Sequence, residues 1–264
     1  MVNKFINRLK DPRLDTVDFD SDELLVAQQS ILLEKKMMQG VFTHFYQRCM
    51  ALDIKYFSGE GQRLEIGAGV GFFNRLFTDV LITDIKKSDQ LDRVLDAQEM
   101  DLSNESVRAI YGINCFHHLP EPDKFFQELE RVLVPGGGCI LIEPYYGPIA
   151  KMIFTRLFKT ETFDKSQPGW NNTSRGVMVG ANQALSYIIF VRDREVFLEK
   201  FPDLEIIYSY PLNNFLQYLL SGGLNFKQLC PDFLIPMIKG LEFLLTPVAP
   251  VFALHHIIVL RKKI

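Results

Sequence analysis

The chain has 264 residues, 47% of them hydrophobic and 23% charged, with a formal net charge of -3. That is the composition of a globular protein with room for one large core, and the charge balance advertises no surface for nucleic acid. The four cysteines, Cys49, Cys115, Cys139 and Cys230, are scattered without a C-x-x-C pair. This argues against a zinc centre and a disulfide framework and makes a reducing cytoplasm the expected location.

The first stretch is charged and lacks the apolar core of a signal peptide, so it is expected to be a surface arm. Residues 22–50 carry Leu24, Leu25, Ile31, Leu32, Met38, Val41, Phe42 and Phe45 at helical spacing. Asp20 and Glu23 form a capping pair, and Gly40 is expected to divide the stretch into two helices. From Arg63 short apolar runs alternate with helical ones. "RLEI" reads as a strand, followed by a glycine loop and "GFFNRLF" as helix; "VLITDI", "RVLDA" and "SVRAIYGIN" carry three more strands. "EPDKFFQELERVLVPGGG" reads as a helix with Phe125, Phe126, Leu129, Val132 and Leu133 on one face, ended by Pro135 and the glycines. "CILIEP" is a fifth strand. Such alternation implies a parallel sheet covered on both faces.

Toward the C-terminus "VRDREVFLEKF" reads as helix and "LEIIYSY" and "HHIIVLR" as strands, separated by an apolar insert over 211–251. Pro236, Lys239, Glu242, Pro247 and Pro250 interrupt that insert. A spanning helix needs about 20 mostly apolar residues, so none is expected.

The glycine loop "RLEIGAGVGFF" carries the chemistry. A strand that ends in glycines and opens a helix offers close backbone approach and free N–H groups to a ligand. A dinucleotide fingerprint needs its third glycine where Phe72 stands; here it is Gly71, giving E-x-G-x-G-x-G from Glu65. A carboxylate beside the turn repels pyrophosphate and attracts a cation. Asp84, nineteen positions after Glu65, sits where a ribose-binding acid is expected, and Asp96 is placed to accept from an exocyclic amine, with the Ala97 N–H donating to a ring nitrogen. These residues suit a ligand with an adenine, a free ribose diol, an ammonium group and no phosphate.

In order and interval, "LEIGAGVGFF", "ITDI", "VLDAQEM" and "INCFHHLPEPDKFFQELERVLVPGGGCILIEP" resemble the motifs of class I S-adenosylmethionine-dependent methyltransferases, in the group that includes ubiquinone and menaquinone methyltransferases. The resemblance implies an α/β, Rossmann-like three-layer sandwich with a seven-stranded, mostly parallel sheet and an antiparallel last strand. It implies one domain over 1–264, with a helical cover at 1–58, a cofactor core at 59–144 and a substrate side at 145–264. It places Glu65, Gly67, Ala68, Gly69 and Gly71 around the methionine part of the cofactor. Asp84 would take the ribose and Ile85 would pack on the adenine. Asp96 and Ala97 would read the adenine edge, with Asn114 and Cys115 at the amino-acid end. The link from Asp84 to Arg93 is too short for the helix the family has there.

Glu143, Tyr145 and Tyr146 follow the fifth strand, where ligands of open α/β sheets bind, and are substrate candidates; His44 is a weaker one. Adjacent His117 and His118 are expected to diverge and not to chelate, so no metal is expected, and His117 stands as a base candidate if an oxygen is methylated. The expected function is methyl transfer to a small apolar or aromatic acceptor. The alternative is a methyltransferase-like binding module acting at a lipid surface or on a protein partner. The insert is expected to cover the sheet edge, line a pocket or touch lipid.

Overall fold

The structure, a computed structural model, describes residues 8–18, 21–157, 161–172 and 181–264. Seven strands form one sheet: β1 (Gln62–Ile66), β2 (Val80–Asp84), β3 (Arg93–Val94), β4 (Val107–Ile113), β5 (Leu133–Pro144), β6 (Leu204–Leu212) and β7 (His255–Lys262). Their order is β3-β2-β1-β4-β5-β7-β6. Strands β1 to β5 pair in parallel, and β7 runs antiparallel to both of its neighbours, β5 and β6. The Rossmann-like sheet is therefore the expected one. The chain order reverses at β1, which lies between β2 and β4, so a crevice opens beyond the carboxyl ends of these three strands.

The α-helices of four residues or more are α1 (Asp22–Glu34), α2 (Lys36–Tyr56), α3 (Phe73–Leu76), α4 (Pro122–Val132), α5 (Pro148–Leu157), α6 (Arg194–Lys200), α7 (Phe215–Ser221), α8 (Ile235–Leu244) and α9 (Ala249–Phe252). On α4, Phe125, Phe126, Leu129 and Val132 are fully buried against β1, β4 and β5 while the acids and bases between them face out. Helix α2 covers the other face with Phe45, Tyr46 and Cys49. It is bolted to the sheet by buried Asp53, which pairs with Arg63 at 2.7 Å and Arg108 at 2.9 Å and accepts from the Tyr111 hydroxyl at 2.7 Å.

Three local expectations change. The break between the first helices falls at Lys35, not Gly40, which lies inside α2. Lys35 is buried, and its ammonium donates to the carbonyls of Gly223, at 2.9 Å, and Phe226, contacts that a helical backbone reading does not foresee. Pro135 and the glycines do not end α4. They belong to β5, where a Cβ at Gly138 would collide with the Leu260 carbonyl and the Phe57 ring. Ser21 caps α1 by position, and Asp20 lies outside the described residues. Finally, Pro211 and Leu212 extend β6, so the insert begins after them. The link from Asp84 to Arg93 contains turns and no helix. Among the described residues no single helix is long and apolar enough to cross a membrane.

Candidate active site

A cavity of about 560 Å³ opens at the reversal point of the sheet. Its floor is the glycine loop. Gly67 and Gly69 hold φ values of +57° and +51°, a region that L side chains avoid, and a Cβ on Gly67 would stand 2.5 Å from that of Cys115. The loop is tied to β2 by Ala68 N donating to Thr83 O at 3.0 Å and by Gly69 N donating to Asp84 Oδ2 at 2.9 Å. The other Asp84 oxygen accepts from Lys86 N at 2.9 Å, which fixes the carboxylate at the cavity edge. Ile85, half exposed, and Asp96 and Ala97 continue this wall; Asp96 is steadied by Gln98 N at 2.8 Å. Asn114 adopts φ +51° at the end of β4, with its side-chain oxygen buried and unpartnered, and Cys115 follows.

Another part of the lining forms an apolar wall. Leu24 and Leu25 of α1, Met38 and Phe42 of α2, Phe154 of α5 and Leu224 after α7 face into the cavity.

A charged cluster joins the two walls. The 3₁₀ turn Phe116–His118 hangs from Glu143, at the end of β5. One Glu143 oxygen accepts from Cys115 N at 3.1 Å and Phe116 N at 3.0 Å; the other accepts from His117 Nδ1 at 2.6 Å. His117 Nε2 then faces the Glu161 carboxylate at 3.4 Å, and Gln183 Nε2 donates to Glu161 Oε2 at 2.6 Å. Burial works against a charged imidazole, but the Glu143 and Glu161 carboxylates prevail and push His117 up to about 10, so it is an imidazolium at neutral pH. Burial alone would raise Glu161, but the hydrogen bond and charge of His117 hold its carboxyl below the usual range. His255, also on the wall, is driven down to about 3 by burial and is neutral.

Residues 64–141 match the model of a family described as a methyltransferase domain. The sterol 24-C-methyltransferase of Candida albicans is 27% identical over 203 residues, which cover 65% of this chain and 48% of that protein. The chain thus spans about half the length of the curated relative it matches. The family match coincides with the strands and loop that floor the cavity. Residues 64–141 are therefore similar to a methyltransferase domain. Solved methyltransferases align with it at low identity. Geranyl diphosphate C-methyltransferase from Streptomyces coelicolor aligns over 96% of this chain and 86% of its own, at 13% identity and a TM-score of 0.49. Phosphoethanolamine N-methyltransferase 2 from Haemonchus contortus aligns over 95% and 59%, at 14% identity and 0.49.

The cavity gathers most of the residues expected for the cofactor. Gly67, Ala68, Gly69, Asp84, Ile85, Asp96, Ala97, Asn114 and Cys115 all line it. Glu65 and Gly71 do not: a Cβ at Gly71 would lie 3.2 Å from Glu65 Oε2 and 2.7 Å from the Tyr46 hydroxyl, so both residues sit behind the loop. Glu65 is wholly buried, burial pushes its carboxyl well above the usual range, and Oε2 has no hydrogen-bond partner. The orphaned acceptor Asn114 Oδ1, together with the Asp84 and Asp96 carboxylates on the same wall, fits a cationic amino acid bearing a ribose diol.

The substrate expectations need correction. Glu143 lies behind His117 with both oxygens engaged and does not reach the cavity. Tyr145 and Tyr146 pack against each other with tilted rings at 4.5 Å, Tyr145 also against His256 and Tyr146 against Tyr187, and neither lines the cavity. His44 is exposed on the outer side of α2, whereas Phe42 points inward. The two histidine rings do not diverge. Their centroids are 4.2 Å apart, and His117, His118 and Glu161 offer ligand atoms within 4.8 Å of one another. That is a donor set of the two-histidine, one-carboxylate kind. An incoming metal ion would have to displace the His117 proton. Both ring nitrogens of His117 face carboxylates, Glu143 at 2.6 Å and Glu161 at 3.4 Å, which leaves neither directed at an acceptor. Glu161 and Gln183 went unnoticed because nothing in their local sequence marks them; only the fold brings them to His117.

Proposed function

We propose that this chain transfers the methyl group of S-adenosylmethionine to a lipid-like acceptor, with Glu161 receiving the proton the acceptor loses. The observation that carries this reading is the lining itself: one cavity is bounded by the acidic residues Asp84 and Asp96, by apolar side chains and by Glu161. The name of the sterol 24-C-methyltransferase relative supports an acceptor of that class.

The cofactor, when bound, supplies an electrophilic methyl group on a sulfonium. The chain supplies alignment, which an in-line displacement needs more than acid–base strength. Asp84 would hold the ribose hydroxyls, Asp96 and the Ala97 N–H would hold the adenine edge, and Gly67 and Gly69 would let the backbone approach closely. Leu24, Leu25, Met38 and Phe42 exclude water from the acceptor's path. Glu161 accepts a hydrogen bond from the acceptor's reacting group. Once methylated, a hydroxyl becomes a strong acid, so a carboxylate of low basicity suffices to take its proton. His117, held charged by Glu143, fixes Glu161 in place and keeps it ionised.

The test is S-adenosylhomocysteine release across sterol, prenol, quinol and phospholipid acceptors, with sugars and soluble amines in parallel. Release is expected with a hydrophobic acceptor and is expected to fall about 100-fold in Glu161→Gln. Release with water-soluble acceptors alone contradicts the proposal.

A further inference from the structure

The segment between β6 and β7 presents an apolar surface that the cavity does not use. It runs through a 3₁₀ turn (Asp232–Leu234), α8, a second 3₁₀ turn (Thr246–Val248) and α9, with a 56° bend between its two halves. Phe233, Met237, Leu241, Leu244, Val248 and Val251 recur every three or four residues and are all exposed, as is Phe243. Phe233 is 79% exposed, Phe243 76% and Leu244 71%. Single exposed apolar residues are ordinary; a continuous stripe two helices long is a surface awaiting an apolar phase.

The charges around the stripe say which phase. Glu242 is the sole acid of α8, and it is turned inward: it is 3% exposed and accepts from the backbone N–H of Leu216, at 2.8 Å, and Gln217, at 3.2 Å, at the start of α7. Its charge is thereby withdrawn from the outer face. Exposed Lys239 remains there, and α5, which packs on α9, adds exposed Lys151 and Arg156; none of the three forms a salt bridge among the described residues. A second copy of the chain, set face to face by a two-fold axis, would bring these cations toward their own kind. An anionic lipid surface complements them, and it accepts the aromatic and aliphatic side chains below its headgroups.

We infer that the α8–α9 face seats this chain on an anionic bilayer surface, with the bent helix pair lying in the interface. Helix α5 carries both Phe154 in the cavity wall and Met152, 42% exposed, on its outer side, and Tyr218 and Leu224, at and beyond α7, line the cavity while α7 packs on α8. The seat therefore adjoins the acceptor wall, so that a lipid-like acceptor has an apolar route inward; that last step rests on the methyl-transfer reading, whereas bilayer binding does not.

The experiment is vesicle flotation of the full chain without cofactor or acceptor, on phosphatidylcholine vesicles with and without phosphatidylglycerol. The wild type is expected to float with the vesicles containing phosphatidylglycerol. The triple variant Phe233→Glu, Phe243→Glu, Leu244→Glu is expected to bind at least about tenfold less, given the transfer energy of three large apolar side chains. Lys239→Glu with Lys151→Glu is expected to abolish the preference for the anionic vesicles. All of these positions are exposed, and an unchanged circular-dichroism melting curve checks that the variants fold. No flotation of the wild type, or equal flotation of the triple variant, overturns the inference. So does a wild-type dimer in analytical ultracentrifugation that the triple variant converts to monomer, since the face would then belong to a second copy. Because the assay reads binding alone, its failure leaves the methyl-transfer reading standing.

Discussion

Glu143 Oε2 lies 2.6 Å from His117 Nδ1, and neither residue is more than 3% exposed. The pair does two things at once. Through its other oxygen Glu143 anchors the turn that carries Cys115, on the cofactor wall, and through His117 it orients Glu161, on the acceptor side. Removing one partner of such a buried pair leaves the other uncompensated. Glu143→Gln keeps the shape and loses the charge, and it is expected to cost about 3 kcal/mol of stability, as measured by denaturant unfolding. A loss within experimental error of zero would show that the charge is not needed there.

The same pair sets a pH dependence. His117 has its folded-state value raised to about 10, against an ordinary 6.5. A raised value means that the folded chain holds a proton the unfolded chain has released. The contribution is therefore complete below pH 6.5 and is lost as pH rises toward 10. Thermal melts of the wild type are expected to decline across that window more steeply than those of His117→Gln. Parallel curves would contradict the imidazolium assignment.

The glycine loop makes a third prediction. Gly67 combines φ +57° with a forbidden approach to Cys115, so Gly67→Ala meets strain and collision together. A destabilisation of about 2 kcal/mol or more and loss of cofactor binding are expected. Differential scanning calorimetry and a cofactor titration on the same sample check both parts.

That Asp84, Asp96 and Asn114 come together in one cavity was legible in the sequence because they stand at strand ends in a fixed order. Asp84, Asp96 and Asn114 each follow an apolar run, and the sheet must bring such ends together at the reversal point. What the sequence did not disclose was which way a strand-end side chain turns. Glu143 ends its strand as Asp84 does, yet it points behind the wall because three backbone N–H groups and an imidazole converge on it. Glu161 and Gln183 lie beyond α5 in a stretch with no helical or strand period, and their roles come from long-range hydrogen bonds. The helix break at Lys35 has the same origin: it answers carbonyls almost two hundred residues away. Local periodicity records burial, not the partner of a buried charge.

Calorimetric titration with S-adenosylmethionine tests the central claim most directly. The wild type is expected to bind one molecule per chain and to ignore NADH, and Asp84→Ala is expected to weaken binding about tenfold, the scale of a lost charge-assisted hydrogen bond. A folded wild type that binds no S-adenosylmethionine, or that binds NADH in its place, would contradict the assignment of this cavity.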